Sequence, residues 1–398
     1  MAEKSDQTKW GINTQLTHSG NDPKEFHGFV NPPIVHASTV LYPDSATMEG
    51  QKQKYTYGTH GTPTTDALAS AVNELEGSAG TIILSSGLAA VTVPLLAFLK
   101  SGDHLLMLDS VYFPTRRFCD TMLTDLGVEV TYYDPHIGAG IEALIQQNTK
   151  VVFTESPGSN TMEIQDIPAI AEIAHKHDAV VMMDNTWATP LFFRPLDFGV
   201  DISIQAATKY PGGHADVLMG LVSASKKHWP RLLQAKTNLG MCANPDESYL
   251  VLRGLRSMGI RLARHEQSAM EIAKAMQTVD GVADVLHPAL PNFPGHDLWK
   301  RDFKGSSGLF SFVLDGGGNA RDLWRAKAHA FLDALQIFGL GYSWGGYESL
   351  AVRVSLKDRT IATEPQAGPV IRLHVGLEDP EDLLADLERG LAAAKRVT

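Results

Sequence analysis

Two ionisable residues each follow a short apolar run: Asp184 closes Val180–Met183, and Lys209 comes soon after Ile202–Gln205. A carboxylate and an amine placed after separate strands of one sheet can face the same cleft. By itself the pair reads as an ordinary ion pair or as two solvated loop residues. Its company changes that reading. Ser85-Ser86-Gly87 opens the apolar stretch Leu88–Leu99. A small-residue turn at a helix N-terminus offers free N–H groups and the positive end of the dipole, which suits a phosphate. Tyr112 follows a further run, His104–Leu108, and offers a flat aromatic face. A phosphate cradle, a ring plate, a carboxylate and an amine are thus available in one order along the chain.

The elements that must position them are legible as rhythm. Short runs, apolar throughout, occur at Thr81–Leu84, His104–Leu108, Val128–Tyr132, Val151–Thr154, Val180–Asp184 and Ile202–Gln205. Helical patterns fall between them near 88–99, 114–126, 139–147 and 166–177. Strands without polar alternation are covered on both faces, and strand–helix alternation predicts an α/β domain with a mostly parallel sheet. Such sheets bind ligands at the carboxyl ends of their strands, where these residues lie. Beyond about residue 255 the rhythm changes. A helix is predicted over Leu262–Val279, strands at Leu309–Val313 and Ile371–Val375, and a last helix begins at Asp379-Pro380, an N-terminal signal. The expected organisation is an irregular N-terminal arm (1–61), a large α/β domain (62–255) and a small α+β domain (256–398). An arm of that length suits contacts with a second subunit.

Composition narrows the partners. The chain has 398 residues, 34 basic and 45 acidic, for a net charge of −11. That argues against a bulk electrostatic grip on nucleic acid or anionic lipid. Gly77–Leu99 carries no charge, but its glycines, serines and Pro94 predict a buried strand, turn and helix rather than a membrane span. The first ten residues are polar, without an apolar targeting core. Cys119 and Cys242 form no CxxC pair, so the expectation is a reducing compartment, the cytoplasm.

Other motifs were weighed. There is no GxGxxG and no GxxxxGK[ST]. His265-Glu266 begins like a zinc-binding HExxH, but Ala269 stands where the second histidine belongs, and no metal is expected. Gly341-Tyr342-Ser343-Trp344-Gly345 matches the GxSxG elbow of serine hydrolases, with Asp358 and His374 following in hydrolase order. Only a short interval separates Ser343 from His374, and no HGGG-type oxyanion motif precedes it, so this is the remote alternative.

The cradle, plate, carboxylate and amine together match the needs of pyridoxal 5'-phosphate. A lysine makes a Schiff base with its aldehyde, and an aspartate keeps its ring nitrogen protonated. Ser203-Ile204-Gln205-Ala206-Ala207-Thr208-Lys209-Tyr210 resembles the Schiff-base motif of the Cys/Met-metabolism family of pyridoxal-phosphate enzymes. Asp184-Asn185-Thr186-Trp187 resembles its ring-nitrogen motif, and Tyr55-Thr56-Tyr57-Gly58 its cross-subunit phosphate motif. The resemblance runs from Thr17-His18-Ser19-Gly20 to Arg372-Leu373-His374-Val375-Gly376-Leu377-Glu378-Asp379. Within the family, the stretches around Trp344, Trp299-Lys300-Arg301 and Gly305–Phe312 are similar to the β-eliminating members, since γ-acting relatives usually lack the Trp344 counterpart.

The resemblance implies the aspartate-aminotransferase-like fold (fold type I) and α,β-elimination on L-cystathionine to homocysteine, pyruvate and ammonia. A γ-acting relative is the alternative. It implies Lys209 as Schiff-base lysine and Cα base, Asp184 at the ring nitrogen, and Tyr112 stacked on the ring and assisting proton transfer. It places Gly87, Leu88, Ala206 and Thr208 around the cofactor phosphate. Arg372 would clamp the substrate carboxylate, Tyr342, Ser343 and Trp344 would line the substrate side, and Tyr57 would reach in from a neighbouring subunit of a homotetramer. One departure stands out. Where the family usually carries a phosphate-binding Arg, this chain has Thr59, followed by His60, and neither reproduces a guanidinium.

Overall fold

The uncharged residues after Glu76 fold as strand β1 (Gly80–Leu84), a turn, and the buried helix Gly87–Phe98, capped by Ser86, whose Oγ accepts the Ala89 N–H. A computed structural model of the chain describes residues 10–318, 320–361, 365 and 367–398. The leader reading of residues 1–9 lies outside these. β1 begins a seven-stranded sheet completed by β2 (His104–Leu108), β3 (Glu129–Tyr133), β4 (Thr149–Glu155), β5 (Val180–Asp184), β6 (Ile202–Ala206) and β7 (Gly220–Ala224). The order is β1-β7-β6-β5-β4-β2-β3. Pairing is parallel from β3 through β6, and antiparallel where β7 joins β6 and β1. The chain therefore has the α/β architecture expected, with helices between the parallel strands.

A second sheet of four strands holds β8 (Val282–Leu286), β9 (Leu309–Leu314), β10 (Leu350–Arg353) and β11 (Val370–His374), all antiparallel. The two sheets share a buried core. Trp187, in the loop after β5, is buried there; its indole N–H donates to the Leu309 carbonyl at 2.8 Å and its ring meets Phe303 edge-on. One 32-residue helix, Pro245–Met276, runs through the expected boundary near 255. Asn244 caps it by accepting the Asp246 N–H.

Four local features differ from the sequence reading. β7 carries no alternation and starts at Gly220, where a Cβ would meet the Ser86 carbonyl, so its signal was hidden. The helix expected over 114–126 is α-helical at Phe113–Phe118 and continues as a π-turn over Cys119–Leu123. The segment near 139–147, rich in glycine, winds as a tighter 3-10 turn, Gly138–Leu144. Asp379 flanks the last helix, Pro380–Lys395, without a capping bond, because its carboxylate faces Arg264 instead.

In the arm, two short helices, Ile12–His18 and Ser45–Glu49, interrupt irregular chain. Leu16 is buried, and Arg256 of the long helix donates to the carbonyls of Leu16 and Ser19. Further along, Phe29, Val30 and Leu41 are 70–85% exposed. Among the described residues no helix is long and apolar enough to cross a membrane.

Candidate active site

Lys209 leaves the carboxyl end of β6 in a tight turn, with its amide donating to the Ala206 carbonyl at 3.0 Å. β6 is central in the sheet and buried on both faces, so it fixes this turn rigidly. The Lys209 Nζ donates to Ser343 Oγ at 2.6 Å and lies 5.2 Å from the centre of the Trp344 ring. Burial, together with the charge of Arg372, pulls its pKa down to about 8 against the attraction of Asp184. An amine so placed is largely a base at mildly alkaline pH, as an ordinary lysine is not.

Asp184 ends the neighbouring strand β5. Its Oδ1 accepts both the amide (3.0 Å) and the hydroxyl (2.6 Å) of Thr186, which leaves Oδ2 for a further donor. The Thr186 hydroxyl also accepts the Ala206 N–H at 2.9 Å, locking the Asp184 loop to the end of β6. In register beside Asp184 is Glu155, at the end of β4. Burial, and then the Asp184 charge, push the Glu155 carboxyl up to about 8, and burial also raises Asp184 against the bonds from Thr186 and the Lys209 charge. Glu155 accepts the Tyr112 N–H at 2.9 Å and the Ser159 hydroxyl. Sequence reasoning missed Glu155. The same strand-end rule that picked Asp184 points to it once the sheet order is known.

The N-terminus of the helix Gly87–Phe98 faces this group. Its first bonded amides are Ala89, to Ser86 Oγ, and Ala90, to the Ser86 carbonyl, so Gly87 and Leu88 present their N–H groups ahead of the ladder. The approach is close: a Cβ on Gly87 would sit 2.6 Å from that of Ala206. Thr208 is held by the Met219 N–H, which donates to its hydroxyl at 3.0 Å.

Tyr112 is half-exposed. Burial and the charges of Asp184 and Glu155 raise its pKa, while Arg372 counteracts them. Arg372 comes from β11 of the second sheet and donates to Asn160 Oδ1 at 3.4 Å. The structure thus brings Lys209, Asp184, Tyr112, Arg372, Ser343 and Trp344 together from both sheets. Tyr342 is 88% exposed at the mouth of a cavity of about 520 Å³ that Thr208, Ser343 and Trp344 also line. Tyr57 is also exposed and packs near His60 of its own arm. His60 is engaged by the Thr56 hydroxyl at 2.7 Å, and the cation beside Thr59 is Lys236, which donates to its carbonyl.

The hydrolase reading needs correction. The GxSxG elbow has no triad, since the His374 Nε2 lies by the backbone of Gly345 and Gly346 and Ser343 is bonded to Lys209. Arg116 is buried. It pairs with Asp109 at 2.9 Å and stacks over Tyr132. His214 is exposed in a turn, bonded to the Gly212 carbonyl. Cys119 is buried and its thiol is pushed up to about 12.

Comparison with known proteins gives this constellation its class. Residues 13–392 match the Cys/Met metabolism PLP-dependent enzymes, and the chain belongs to that family. A Rhizobium johnstonii protein named provisionally as a cystathionine beta-lyase is 66% identical, over 97% of both chains. Cystathionine beta-lyase MetC of Escherichia coli is 43% identical, over 96% of this chain and 98% of that one. A cystathionine gamma synthase from Xanthomonas oryzae pv. oryzae, solved with aminoacrylate and cysteine, superposes with a TM-score of 0.89 at 33% identity, over 98% of this chain and 100% of that one. The cofactor of the family is pyridoxal phosphate, and the fold is type I.

The donor set fits that cofactor: an amine of lowered pKa, a buried carboxylate with one unengaged oxygen, and two helix N-terminal amides. A prediction follows from the Lys209 pKa. Only the neutral amine attacks an aldehyde, and a lowered pKa makes the neutral form prevail above about 8. Cofactor-free protein should therefore combine with pyridoxal phosphate faster as pH rises, levelling off above that point. Stopped-flow absorbance measures this; a rate still climbing toward the ordinary lysine range contradicts it.

Proposed function

We propose that this enzyme cleaves L-cystathionine by α,β-elimination, giving homocysteine, pyruvate and ammonia. The observation that carries the reading is the Trp344 ring standing 5.2 Å from the Lys209 amine, with Ser343 bonded to that amine. The names of the relatives from Rhizobium johnstonii and Escherichia coli support it. When bound, the cofactor supplies the electron sink that makes the Cα proton removable. Lys209 would hold the cofactor through its aldehyde and, when free, would take the Cα proton. Asp184 would hold the ring nitrogen protonated, and Tyr112 would stack on the ring and assist proton transfer. The Gly87 and Leu88 amides, the Thr208 hydroxyl and the Ala206 turn would hold the phosphate. Arg372 grips the substrate carboxylate with its planar fork. Ser343, Trp344 and Tyr342 form the side along which the sulfur-bearing chain lies. Proton loss from Cα and departure of sulfur from Cβ complete the elimination, and water releases pyruvate and ammonia.

The exposed Tyr57 and the apolar arm fit a homotetramer in which Tyr57 completes a neighbour's site. The reading divides the chain into an arm (1–61), a cofactor domain (62–255) and a small domain (256–398), and the helix Pro245–Met276 crosses the last of these boundaries.

Replacing Arg372 with leucine should raise KM about 100-fold and lower kcat less, since charge-assisted bonds to a carboxylate contribute about 1.5–3 kcal/mol each. Steady-state kinetics checks it; an unchanged KM would remove Arg372 from the carboxylate. The likeness to a cystathionine gamma synthase keeps a γ-acting reading as the second one. Chromatography of the products from L-cystathionine separates them. Homocysteine with pyruvate supports β-elimination, whereas cysteine with 2-oxobutyrate replaces it by γ-elimination.

A further inference from the structure

The loop that carries Ser343 and Trp344 adopts a conformation that needs holding. Ser343 has φ +84, a left-handed backbone for a residue with a side chain. Gly345 has φ +88, and a Cβ there would stand 2.9 Å from the Lys209 carbonyl carbon and the Tyr210 nitrogen. The loop backbone therefore lies directly on the backbone of Lys209, and small shifts of it move Ser343 relative to the amine.

His374 touches this loop. It is 1% exposed, at the end of β11, two residues after Arg372 and so on the same face of the strand. Its Nε2 is 3.1 Å from the Gly345 nitrogen and 3.0 Å from the Gly346 oxygen. In either neutral tautomer the ring bonds this one stretch of backbone, accepting from Gly345 or donating to Gly346. The ring is fixed from behind by Tyr210 at 6.1 Å and His265 at 5.2 Å, and Tyr210 is itself fixed by the Gly308 N–H, 3.0 Å from its hydroxyl. Its Nδ1 has no partner among the described residues, so the polar contacts of the side chain all go to this loop. Burial, with the nearby His265, Arg372 and Lys209, pulls its pKa down to about 3, which keeps it neutral.

We propose that His374 is a positioning residue: by bonding the Gly345–Gly346 backbone it sets Ser343 and Trp344 against the Lys209 amine. The Ser343 and His374 of the hydrolase-like motif are thus linked through the loop backbone and not through the serine hydroxyl. The inference rests on the proposed lyase site, but not on which carbon loses its substituent.

The test compares His374→Gln, whose amide reaches the loop, with His374→Asn, which is one methylene too short, both as holoenzymes. The expected result is that His374→Gln keeps kcat within about threefold of the parent. His374→Asn should lose about 10- to 100-fold in kcat with KM changed less than threefold, the scale for a reacting group displaced by about an ångström. Cofactor content, read by absorbance, should stay equal in the two. Equal kcat in both variants, or losses that track cofactor content or melting temperature, overturns the proposal. His374→Leu is the reserve should His374→Asn not fold, with the same loss expected and kcat equal to that of His374→Gln overturning. A parent that releases 2-oxobutyrate would defeat the β-elimination reading alone, and the comparison of variants would still decide the role of His374.

Discussion

Lys209→Ala lowers kcat by about 10,000-fold or more, and the protein no longer holds its cofactor covalently. The expectation follows from two jobs falling on one amine. In the proposed mechanism Lys209 is both the covalent attachment and the base for the Cα proton, and no neighbouring group takes over either. Its contacts are Ser343 and the Trp344 face, neither of which is a base near neutral pH. Arg372 is a guanidinium, too weak an acid to be present in the free-base form that could accept a proton, and the Tyr112 pKa is raised above its ordinary value. Single-turnover kinetics on the variant loaded with cofactor measures the effect. Activity within a hundredfold of the parent would mean that another group takes the proton.

Asp184→Asn should lower kcat about 1,000-fold while leaving the cofactor bound, the scale for removing a preorganised charge from a buried site. An asparagine keeps the shape and the bonds to Thr186 but cannot hold a ring nitrogen protonated. Glu155, although beside it in register, does not compensate. Its two oxygens are engaged by the Tyr112 amide and the Ser159 hydroxyl, and burial pushes its carboxyl up to about 8. Rates for Asp184→Asn and Asp184→Glu, measured with equal cofactor content, check this. The glutamate should recover part of the loss, and an asparagine variant within tenfold of the parent would detach Asp184 from the ring.

What the sequence made legible is what local pattern encodes. The runs His104–Leu108 and Val180–Asp184 coincide with β2 and β5, because both are buried on both sides and carry uninterrupted apolar character. The strand-end rule then placed Asp184 and Lys209 near each other before any contact was known. What escaped depends on long-range assembly. The antiparallel β7 announces itself only by fitting between β1 and β6. Glu155 gains meaning when β4 lies beside β5. The serine of the GxSxG pattern became a partner of Lys209 because the second sheet folds its loop over the first, which a five-letter stretch cannot report. The burial of Arg116 likewise depends on assembly, since its partner Asp109 and its stacking ring Tyr132 lie on different elements. The role of Tyr57 turns on a second copy of the chain, toward which its exposed ring and the arm are open.

The measurement that bears most directly on the account is the site of covalent attachment. Holoprotein would be treated with borohydride, which reduces a carbon–nitrogen double bond to a stable amine, then digested and mapped by mass spectrometry. The account predicts a single phosphopyridoxyl group on the peptide containing Thr208-Lys209-Tyr210, located on Lys209. A label on any other lysine, or none on this peptide in fully loaded protein, would contradict it, because the roles given to Asp184, Tyr112, Ser343 and Arg372 all radiate from that nitrogen.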